Sequence, residues 1–244
     1  MASEYHVQVL KTESISPHMR RLALYGEALK SFPPNEQSGY VKMLFTLTDH
    51  PKVVLRSFTI RAFDEQQSQL TLDIVDHGDK GVAAKWLSQC QPGDDVIVRG
   101  PGEKKLANPD ADWFFLAGDM TALPAIAVNL EALPDDAKGH AIIQIHAEED
   151  KQLIGAPKGV QLQWLINNEP EDSTKLMHAI RQKQWLSGTP YPWFAGEFET
   201  MRQVRRYFRD EKKIDRKQMY ISSYWKHGDT DEGMKQAKRR DPDE

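Results

Sequence analysis

The hydrophobic pattern of this chain changes near residue 110, and that change constrains the fold more than any other feature. Before it, short segments alternate apolar and polar residues, as strands with one buried face do. After it, continuous apolar segments alternate with amphipathic ones, which is typical of a parallel sheet covered by helices. The sequence therefore predicts an antiparallel β-barrel followed by an α/β domain with a Rossmann-like parallel sheet.

The predicted elements of each half are separated by turns rich in Pro, Gly, Asn and Asp. In the first half we expect one short helix at 81–89 and strands at 6–10, 19–25, 40–47, 53–63, 69–75 and 95–99. In the second half we expect helices at 121–133, 174–185 and 199–209 and strands at 113–117, 140–146, 159–166, 191–196 and 218–222.

A linker at 100–112, rich in Gly, Pro and charge, marks a domain boundary. We expect a barrel domain over 1–107, an α/β domain over 108–223 and a C-terminal segment over 224–244. Within that segment, 231–240 could form a helix or fray, and the sequence does not decide between them.

Composition narrows the class of protein. The chain of 244 residues has one cysteine, Cys90, which excludes an internal disulfide or a cysteine-based metal site and suits a reducing compartment. No run of 18 apolar residues and no secretory signal is present. The net charge of −4 argues against broad nucleic-acid binding. We expect a cytoplasmic protein that binds neither membrane nor nucleic acid.

The first candidate binding stretch is Arg56-Ser57-Phe58-Thr59. Alternation places Arg56 and Phe58 on one face of a strand and the two hydroxyl residues on the other. The guanidinium could hold a pyrophosphate, and the aromatic ring could pack on a flavin. A half-buried strand with an exposed arginine is the competing interpretation.

The second candidate stretch, 73–86, reads as a strand, a glycine turn and a helix of small residues. Gly78 and Gly81 permit a close approach of the backbone, and the N–H groups of a helix start can bind a pyrophosphate. A plain strand–turn–helix is the alternative, in which His77 is a hydrogen-bonded turn residue.

Two further candidates lie at predicted strand ends of the second half. In 117–125 a strand closes at Gly118, Thr121 is the expected N-cap and Pro124 falls in the first helical turn. In 193–197 Glu197 could bind a nicotinamide or favour a helix dipole. Ligands of open parallel sheets bind at the carboxyl ends of strands, where both stretches lie.

Near the C-terminus, Tyr224 and Trp225 precede Lys226 and His227. They could form a docked terminal segment, or they could cover a flat cofactor while Lys226 faces an anionic substrate. No nucleophile elbow or Walker loop is present, so the sequence indicates no catalytic triad.

Taken in order, these motifs resemble the siderophore-interacting protein family of ferric-siderophore reductases, relatives of the ferredoxin-NADP reductases. The shared motifs are Arg56–Thr59, where the family more often has tyrosine at Phe58, Asp76-His77-Gly78 with 81–86, Arg99-Gly100-Pro101, 118–125, Ala195-Gly196-Glu197 and Tyr224-Trp225.

The resemblance implies three sets of binding residues and no catalytic side chain, because FAD carries the hydride and electron transfer. The implied flavin contacts are Arg56, Ser57, Phe58, Thr59, Asp73, Val75, His77, Gly78, Gly81, Val82, Ala83, Ala84, Thr121, Ala122, Tyr224 and Trp225. The implied nicotinamide contacts are Gly118, Asp119, Gly196 and Glu197. The implied contacts to an anionic siderophore are Lys42, Lys104 and Lys226.

The implied reaction passes a hydride from NADH or NADPH to FAD and then single electrons to Fe(III) in a catecholate or hydroxamate chelate. Iron(II) binds such anionic oxygens more weakly, so reduction releases it. Three acids at 148–150 follow a predicted strand and would disfavour a 2′-phosphate, which favours NADH.

Two other functions are compatible with the sequence. One is a flavin reductase that exchanges electrons with a ferredoxin or flavodoxin, for which the basic stretch 202–217 could be the docking surface. The other is a protein that binds ferric siderophore without catalysis.

Overall fold

The computed structural model describes residues 3–47, 50–76, 78 and 81–241, without the side chains of 47, 50–52, 231 and 232. The chain divides into two compact units, Met1–Leu106 and Ala107–Glu244. Among the described residues, no helix is both long enough and apolar enough to cross a membrane.

The first unit is a closed six-stranded barrel with the strand order β1-β2-β5-β4-β3-β6, all pairs antiparallel. The strands are β1 (Ser3–Ser16), β2 (Met19–Tyr25), β3 (Tyr40–Leu47), β4 (His50–Asp64), β5 (Gln69–Val75) and β6 (Asp95–Gly102). A single α-helix, α1 (Val82–Gln89), joins β5 to β6. The predicted antiparallel barrel is confirmed.

The strand β1 is much longer than the predicted 6–10, because it pairs with two neighbours in succession. Its residues Ser3–Gln8 pair with β6, and Gln8–Ser16 pair with β2 across a bulge. The second part carries Lys11, Thr12 and Glu13, whose polarity hid the strand from the hydrophobic pattern. This double pairing closes the barrel, so no strand edge remains between β1 and β6.

The second unit is a five-stranded parallel sheet with the order β11-β10-β7-β8-β9. Its strands are β7 (Trp113–Gly118), β8 (Lys138–Ile145), β9 (Gly159–Ile166), β10 (Pro190–Glu197) and β11 (Tyr220–Trp225). Its helices are α2 (Leu123–Ala132), α3 (Thr174–Gln182), α4 (Phe198–Arg206) and α5 (Asp231–Arg240). The predicted Rossmann-like sheet is confirmed, and its central strand β7 is buried along its whole length.

Several element boundaries differ from the predictions, and those near the C-terminus have clear structural reasons. The last strand begins at Tyr220 and not at 218, because a 3₁₀ turn occupies Arg216–Gln218. The helix predicted over 199–209 ends at Arg206 and continues as a π-helical turn over Tyr207–Glu211. The segment 231–240, for which the sequence left helix and frayed chain open, forms the helix α5 with Thr230 as its N-cap. An ion pair between Asp241 and Arg205 joins the end of α5 to α4.

Candidate functional site

The stretch Arg56–Thr59 lies in the middle of β4, as predicted. The register with β3 sets Phe58 opposite the core residue Val41, and Arg56 opposite Met43. The half-buried ring of Phe58 packs against the barrel core and meets Phe45 edge to face, with 6.4 Å between ring centroids. Ser57 is exposed and lies opposite Lys42. The stretch therefore combines an anchored aromatic ring with polar groups at the barrel surface.

The carboxylate of Asp73 is already paired inside the barrel. It accepts hydrogen bonds of 2.7 and 2.8 Å from Nε and Nη2 of Arg21, and Nε of Arg61 lies 3.8 Å away. Because Asp73 is buried and both its oxygens accept hydrogen bonds from Arg21, its carboxylate is already engaged within the barrel.

Arg21 and Arg61, which flank Asp73, are not among the predicted binding residues. They lie on β2 and β4, the two strands that neighbour β5 in the barrel. Arg21 lies opposite Asp73 in the pairing of β2 with β5. Predicting this contact from the sequence would have required the strand order.

The glycine turn after β5 has the backbone that the sequence predicts. Gly78 and Gly81 have φ values of 66° and 93°, a region that favours glycine. A Cβ atom added at either position would meet nothing within 4 Å, so open space lies beside the backbone. His77, also expected to contact the flavin, lies outside the described residues.

The helix α1 follows this turn and begins without a side-chain cap. Its first-turn N–H groups lack an intrahelical partner, and small side chains surround them: Val82 and Ala83 are half-buried and Ala84 is buried. Open space beside the glycine turn and the N–H donors of the first helical turn suit the pyrophosphate of a dinucleotide, so these residues fit FAD.

In the second unit the strand order reverses direction at β7 and β10. From β7 the chain adds β8 and β9 on one side, and then β10 and β11 on the other. The crevice outside the carboxyl ends of β7 and β10 is thus the topological switch point, where open α/β sheets bind ligands. The four predicted nicotinamide residues, Gly118, Asp119, Gly196 and Glu197, all lie at these two strand ends.

Asp119 is a buried hydrogen-bond centre at this point. Its Oδ1 accepts bonds from the backbone N–H and the hydroxyl of Thr121, at 2.9 and 2.5 Å. Its Oδ2 accepts bonds from the Glu197 N–H at 3.0 Å and from Nε1 of Trp225 at 2.7 Å. One carboxylate therefore ties the ends of β7, β10 and β11 together.

The prediction that Thr121 is the N-cap of the following helix is wrong. The N-cap of α2 is Ala122, without a side-chain bond, because the hydroxyl of Thr121 donates to Asp119. The helix accordingly begins at Leu123, with Pro124 in its first turn as predicted.

Glu197 caps the helix α4, which is the structural alternative in the sequence analysis. Its Oε2 accepts a 2.9 Å bond from the Thr200 N–H, and its Oε1 accepts a 3.3 Å bond from the His227 N–H. The buried carboxylates of Asp119 and Glu197 thus both accept hydrogen bonds from N–H or O–H groups of the protein. Their main effect is to fix the backbone at the switch point.

Two glycines make this close packing feasible. An added Cβ at Gly118 would lie 2.5 Å from the carbonyl oxygen of Ala195, and one at Gly196 would lie 2.6 Å from Oδ2 of Asp119. Gly118 therefore allows the end of β7 to lie close to the backbone of β10, and Gly196 leaves room for the Asp119 carboxylate.

Two comparisons with family profiles cover both units. Residues 8–55 and 46–105 match the siderophore-interacting FAD-binding domain, and residues 111–228 match the profile described as siderophore-interacting protein. The chain belongs to the siderophore-interacting protein family. Its barrel is therefore the FAD-binding domain of that family.

Individual members of the family resemble the chain over nearly its full length. An uncharacterised protein of Mycobacterium tuberculosis is 33% identical, covering 95% of this chain and 93% of its own. The ferric vibriobactin reductase ViuB of Vibrio cholerae is 29% identical, covering 91% and 89%. The NADPH-dependent ferric-chelate reductase of Escherichia coli is 26% identical, covering 89% and 91%. The crystal structure of the siderophore-interacting protein SipS from Aeromonas hydrophila superposes with a TM-score of 0.90 at 30% identity, covering 100% and 99%.

The three lysines expected to face the substrate of this siderophore-interacting protein have different surroundings. Lys42 is half-buried on β3, between Ser57 of β4 and Arg99 of β6. The exposed Lys104 donates to the carbonyl of Asn35 at 3.2 Å. Lys226 lies 3.5 Å from the carboxylate of Asp229. Arg99, the cross-strand neighbour of Lys42, forms an ion pair of 2.6 Å with Glu4, whereas Nζ of Lys42 lies 5.8 Å from the centroid of the Tyr40 ring.

The acids at 148–150 do not act as one negative cluster. Asp150 is buried and accepts the Ala147 N–H at 3.0 Å, and Glu148 pairs with Lys151. Glu149 is exposed after β8. Glu148 is exposed too, but its charge is offset by Lys151, so Glu149 is the exposed acid without an ion pair among the described residues.

Burial shifts the pKa values of two further groups, Cys90 and His140. Burial raises the pKa of the Cys90 thiol, which disfavours the nucleophilic thiolate. Burial lowers the pKa of His140, whose Nε2 lies 2.8 Å from the Gln184 carbonyl. Among the described residues, no group of three His, Cys, Asp or Glu side chains could hold a metal ion.

Proposed function

We propose that the protein is an NAD(P)H-dependent, FAD-containing ferric-siderophore reductase that releases iron(II) in the cytoplasm. The observation that carries the proposal is the open glycine turn at Gly78 and Gly81, in a barrel that matches the family's FAD-binding domain. The names of the V. cholerae and E. coli relatives support the reductase activity.

The barrel residues would hold the flavin by distinct contacts. The Arg56 guanidinium offers charge-assisted hydrogen bonds to the pyrophosphate, and the N–H groups at the start of α1 add uncharged donors. The Phe58 ring offers an apolar surface to the isoalloxazine, and the hydroxyls of Ser57 and Thr59 can bond its polar edge. When bound, FAD accepts two electrons with the hydride from NAD(P)H and can reduce two ferric ions by one electron each.

The second unit would hold the nicotinamide at the switch point between β7 and β10. There Gly118 and Gly196 keep the strand ends close, while Asp119 and Glu197 fix the turns that line the crevice. Thr121 and Ala122 lie in the first of these turns, and Tyr224 and Trp225 end β11; the flavin contacts expected of these four residues stay predictions. No side chain is assigned an acid–base step.

For the substrate we propose an anionic ferric catecholate, with a hydroxamate chelate as the alternative. Lys42, Lys104 and Lys226 would supply positive charge that attracts the anion and lowers the free energy of its complex. We retain NADH as the proposed donor, because the exposed carboxylate of Glu149 would repel a 2′-phosphate.

The purified protein tests the proposal directly. We expect a flavin absorption spectrum, bleaching on anaerobic addition of NADH, and recovery when a ferric catecholate is added with an iron(II) trap. A colourless protein that cannot be reconstituted with FAD would overturn the proposal and support a non-enzymatic siderophore-binding protein. A higher kcat/KM with NADPH than with NADH would overturn the nucleotide assignment alone.

A ferredoxin or flavodoxin is the second candidate partner, favoured by the charge of the stretch 202–217. Within the described residues, Arg206, Lys213, Arg216 and Lys217 are exposed and form no ion pair. Three other arginines of the stretch pair with Glu199, Asp241 and Asp210. Flavin reduction by a reduced ferredoxin, lost when the four exposed cations are replaced by alanine, would support this partner.

A further inference from the structure

The end of β11 contains an irregularity that redirects one side chain. In the register with β10, Ser223 lies opposite Gly196 and Trp225 lies opposite Glu197, so Tyr224 is an extra residue. Bulges of this kind re-aim the side chains that follow them and occur often beside active sites. Here the residue that follows is Trp225, whose indole nitrogen reaches Asp119 at the end of β7, 106 positions away in sequence.

The Asp119 carboxylate that accepts the indole N–H is also held by hydrogen bonds from other residues. Thr121 bonds Oδ1 twice, and the Glu197 N–H bonds Oδ2 beside the indole. Gly196 leaves room for this arrangement, because a Cβ there would lie 2.6 Å from Oδ2. Asp119 is 5% exposed, so its bond to Trp225 is shielded from competing water.

The chain beyond Trp225 is fastened by the second buried carboxylate. Glu197 accepts the backbone N–H of His227, two residues after the indole, while it caps α4. The bulge, Asp119 and Glu197 thus determine the position of Trp225 from three directions. The half-buried indole lies at the switch point and not on the outer edge of the sheet.

We propose that Asp119 is a positioning residue that fixes the Trp225 indole as a wall of the nicotinamide crevice. The inference rests on the proposed function, because it assumes that a nicotinamide dinucleotide binds at the switch point. Asp119 makes no contact with the nucleotide. Asp119 acts through the indole, which it holds in place before the flat nicotinamide binds. Less conformational entropy of the side chain is then lost on binding.

The hydrogen bond itself is tested by NMR of the indole N–H groups in the FAD-loaded protein. The chain has six tryptophans, and loss of one signal in Trp225→Phe assigns Trp225. We expect slow solvent exchange of this signal in the wild type and fast exchange in Asp119→Ala, because that variant leaves the indole N–H without its acceptor. Fast exchange in the wild type would overturn the proposal.

The role in binding is tested by titrating the oxidised, FAD-loaded protein with NAD⁺ and NADP⁺, which do not react with it. We expect Trp225→Phe to raise the Kd of the better ligand about tenfold, because the ring remains but its tether is lost. Asp119→Ala should raise the Kd at least as much, and the effect of the double variant should be smaller than the product of the two single effects. The control is Trp164→Phe on the edge strand β9, which should leave the Kd unchanged.

An unchanged Kd in Trp225→Phe, or independent effects in the double variant, would overturn the positioning role. If the wild-type protein bound no nicotinamide dinucleotide, the proposed function would fail, whereas the NMR result would still report on the hydrogen bond. If Asp119→Ala failed to fold, Trp225→Phe alone would decide the outcome, since it leaves the carboxylate and its bonds to Thr121 and Glu197 in place.

Discussion

The side chain of Asn129 in α2 holds the backbone of Ala107, the first residue of the second unit. Its Oδ1 accepts the buried Ala107 N–H at 2.7 Å, and its Nδ2 donates to the Ala125 carbonyl at 2.9 Å. Both groups of the amide are used, and Asn129 is 1% exposed. The start of the second unit is thereby fixed to its first helix.

We expect Asn129→Leu to destabilise the second unit by about 1–3 kcal/mol, because it leaves the buried Ala107 N–H without an acceptor. Urea unfolding followed by tryptophan fluorescence measures the change. The exposed Asn168 provides the control, since Asn168→Leu removes no buried bond. Equal unfolding midpoints for the two variants would contradict the role given to Asn129.

We expect Arg56→Ala to weaken FAD retention by about 1.5–3 kcal/mol, the range for a hydrogen bond to a charged group. The measurement is the flavin content after dialysis, together with the Kd of FAD for the apoprotein. Arg20→Ala is the matched control, because Arg20 is a half-buried barrel arginine whose Nη2 bonds Thr12. Normal flavin content in Arg56→Ala would exclude its contact to the pyrophosphate.

We expect Lys42→Ala and Lys226→Ala to raise the KM for an anionic ferric catecholate more than for a neutral ferric hydroxamate. The reason is electrostatic, so the difference should shrink at high salt. Steady-state kinetics with both chelates at two ionic strengths provides the test, and Lys30→Ala, which removes an exposed lysine paired with Glu27, is the control. Equal effects on the two chelates would argue against a charge interaction.

We expect His140 to make the second unit less stable in mild acid. Burial lowers the pKa of His140 in the folded state below its unfolded value of about 6.5, so the unfolded chain takes up the proton first. This contribution to stability is present above about pH 6.5 and is lost as the pH falls below it.

Urea midpoints at pH 7.5 and pH 5.5 test this expectation. The decrease between the two pH values should be smaller in His140→Gln than in the wild type, whereas the exposed His178→Gln should match the wild type. The same decrease in all three proteins would rule out His140 as the source.

Much of the fold could be predicted from local patterns. The bounds of β2, β3, β5 and β9 match the predicted ones, because each has a regular apolar pattern between clear turn residues. The strand β1 was underestimated because its second part has a polar exposed face. The positive φ values at Gly78 and Gly81 agree with the predicted glycine turn.

The candidate site was less predictable because its key contacts are distant in sequence. Asp119 and Glu197 were recognised at strand ends, but the bond from Trp225 to Asp119 depends on strand order and on an irregular register. The pairing of Asp73 with Arg21 likewise needs the barrel register. No local sequence pattern indicates from which side chains on neighbouring strands a carboxylate will accept hydrogen bonds.

The strand order also has a consequence for synthesis of the chain on the ribosome. Every strand of the barrel finds its partners within residues 3–102, so its backbone pairing requires no residue of the second unit. The central strand β7 must instead wait for β10, which begins at Pro190, before both its edges are paired. During that interval an apolar strand has one open edge, which exposes the nascent chain to aggregation. The second unit is therefore the part of this protein that depends most on rapid completion of translation.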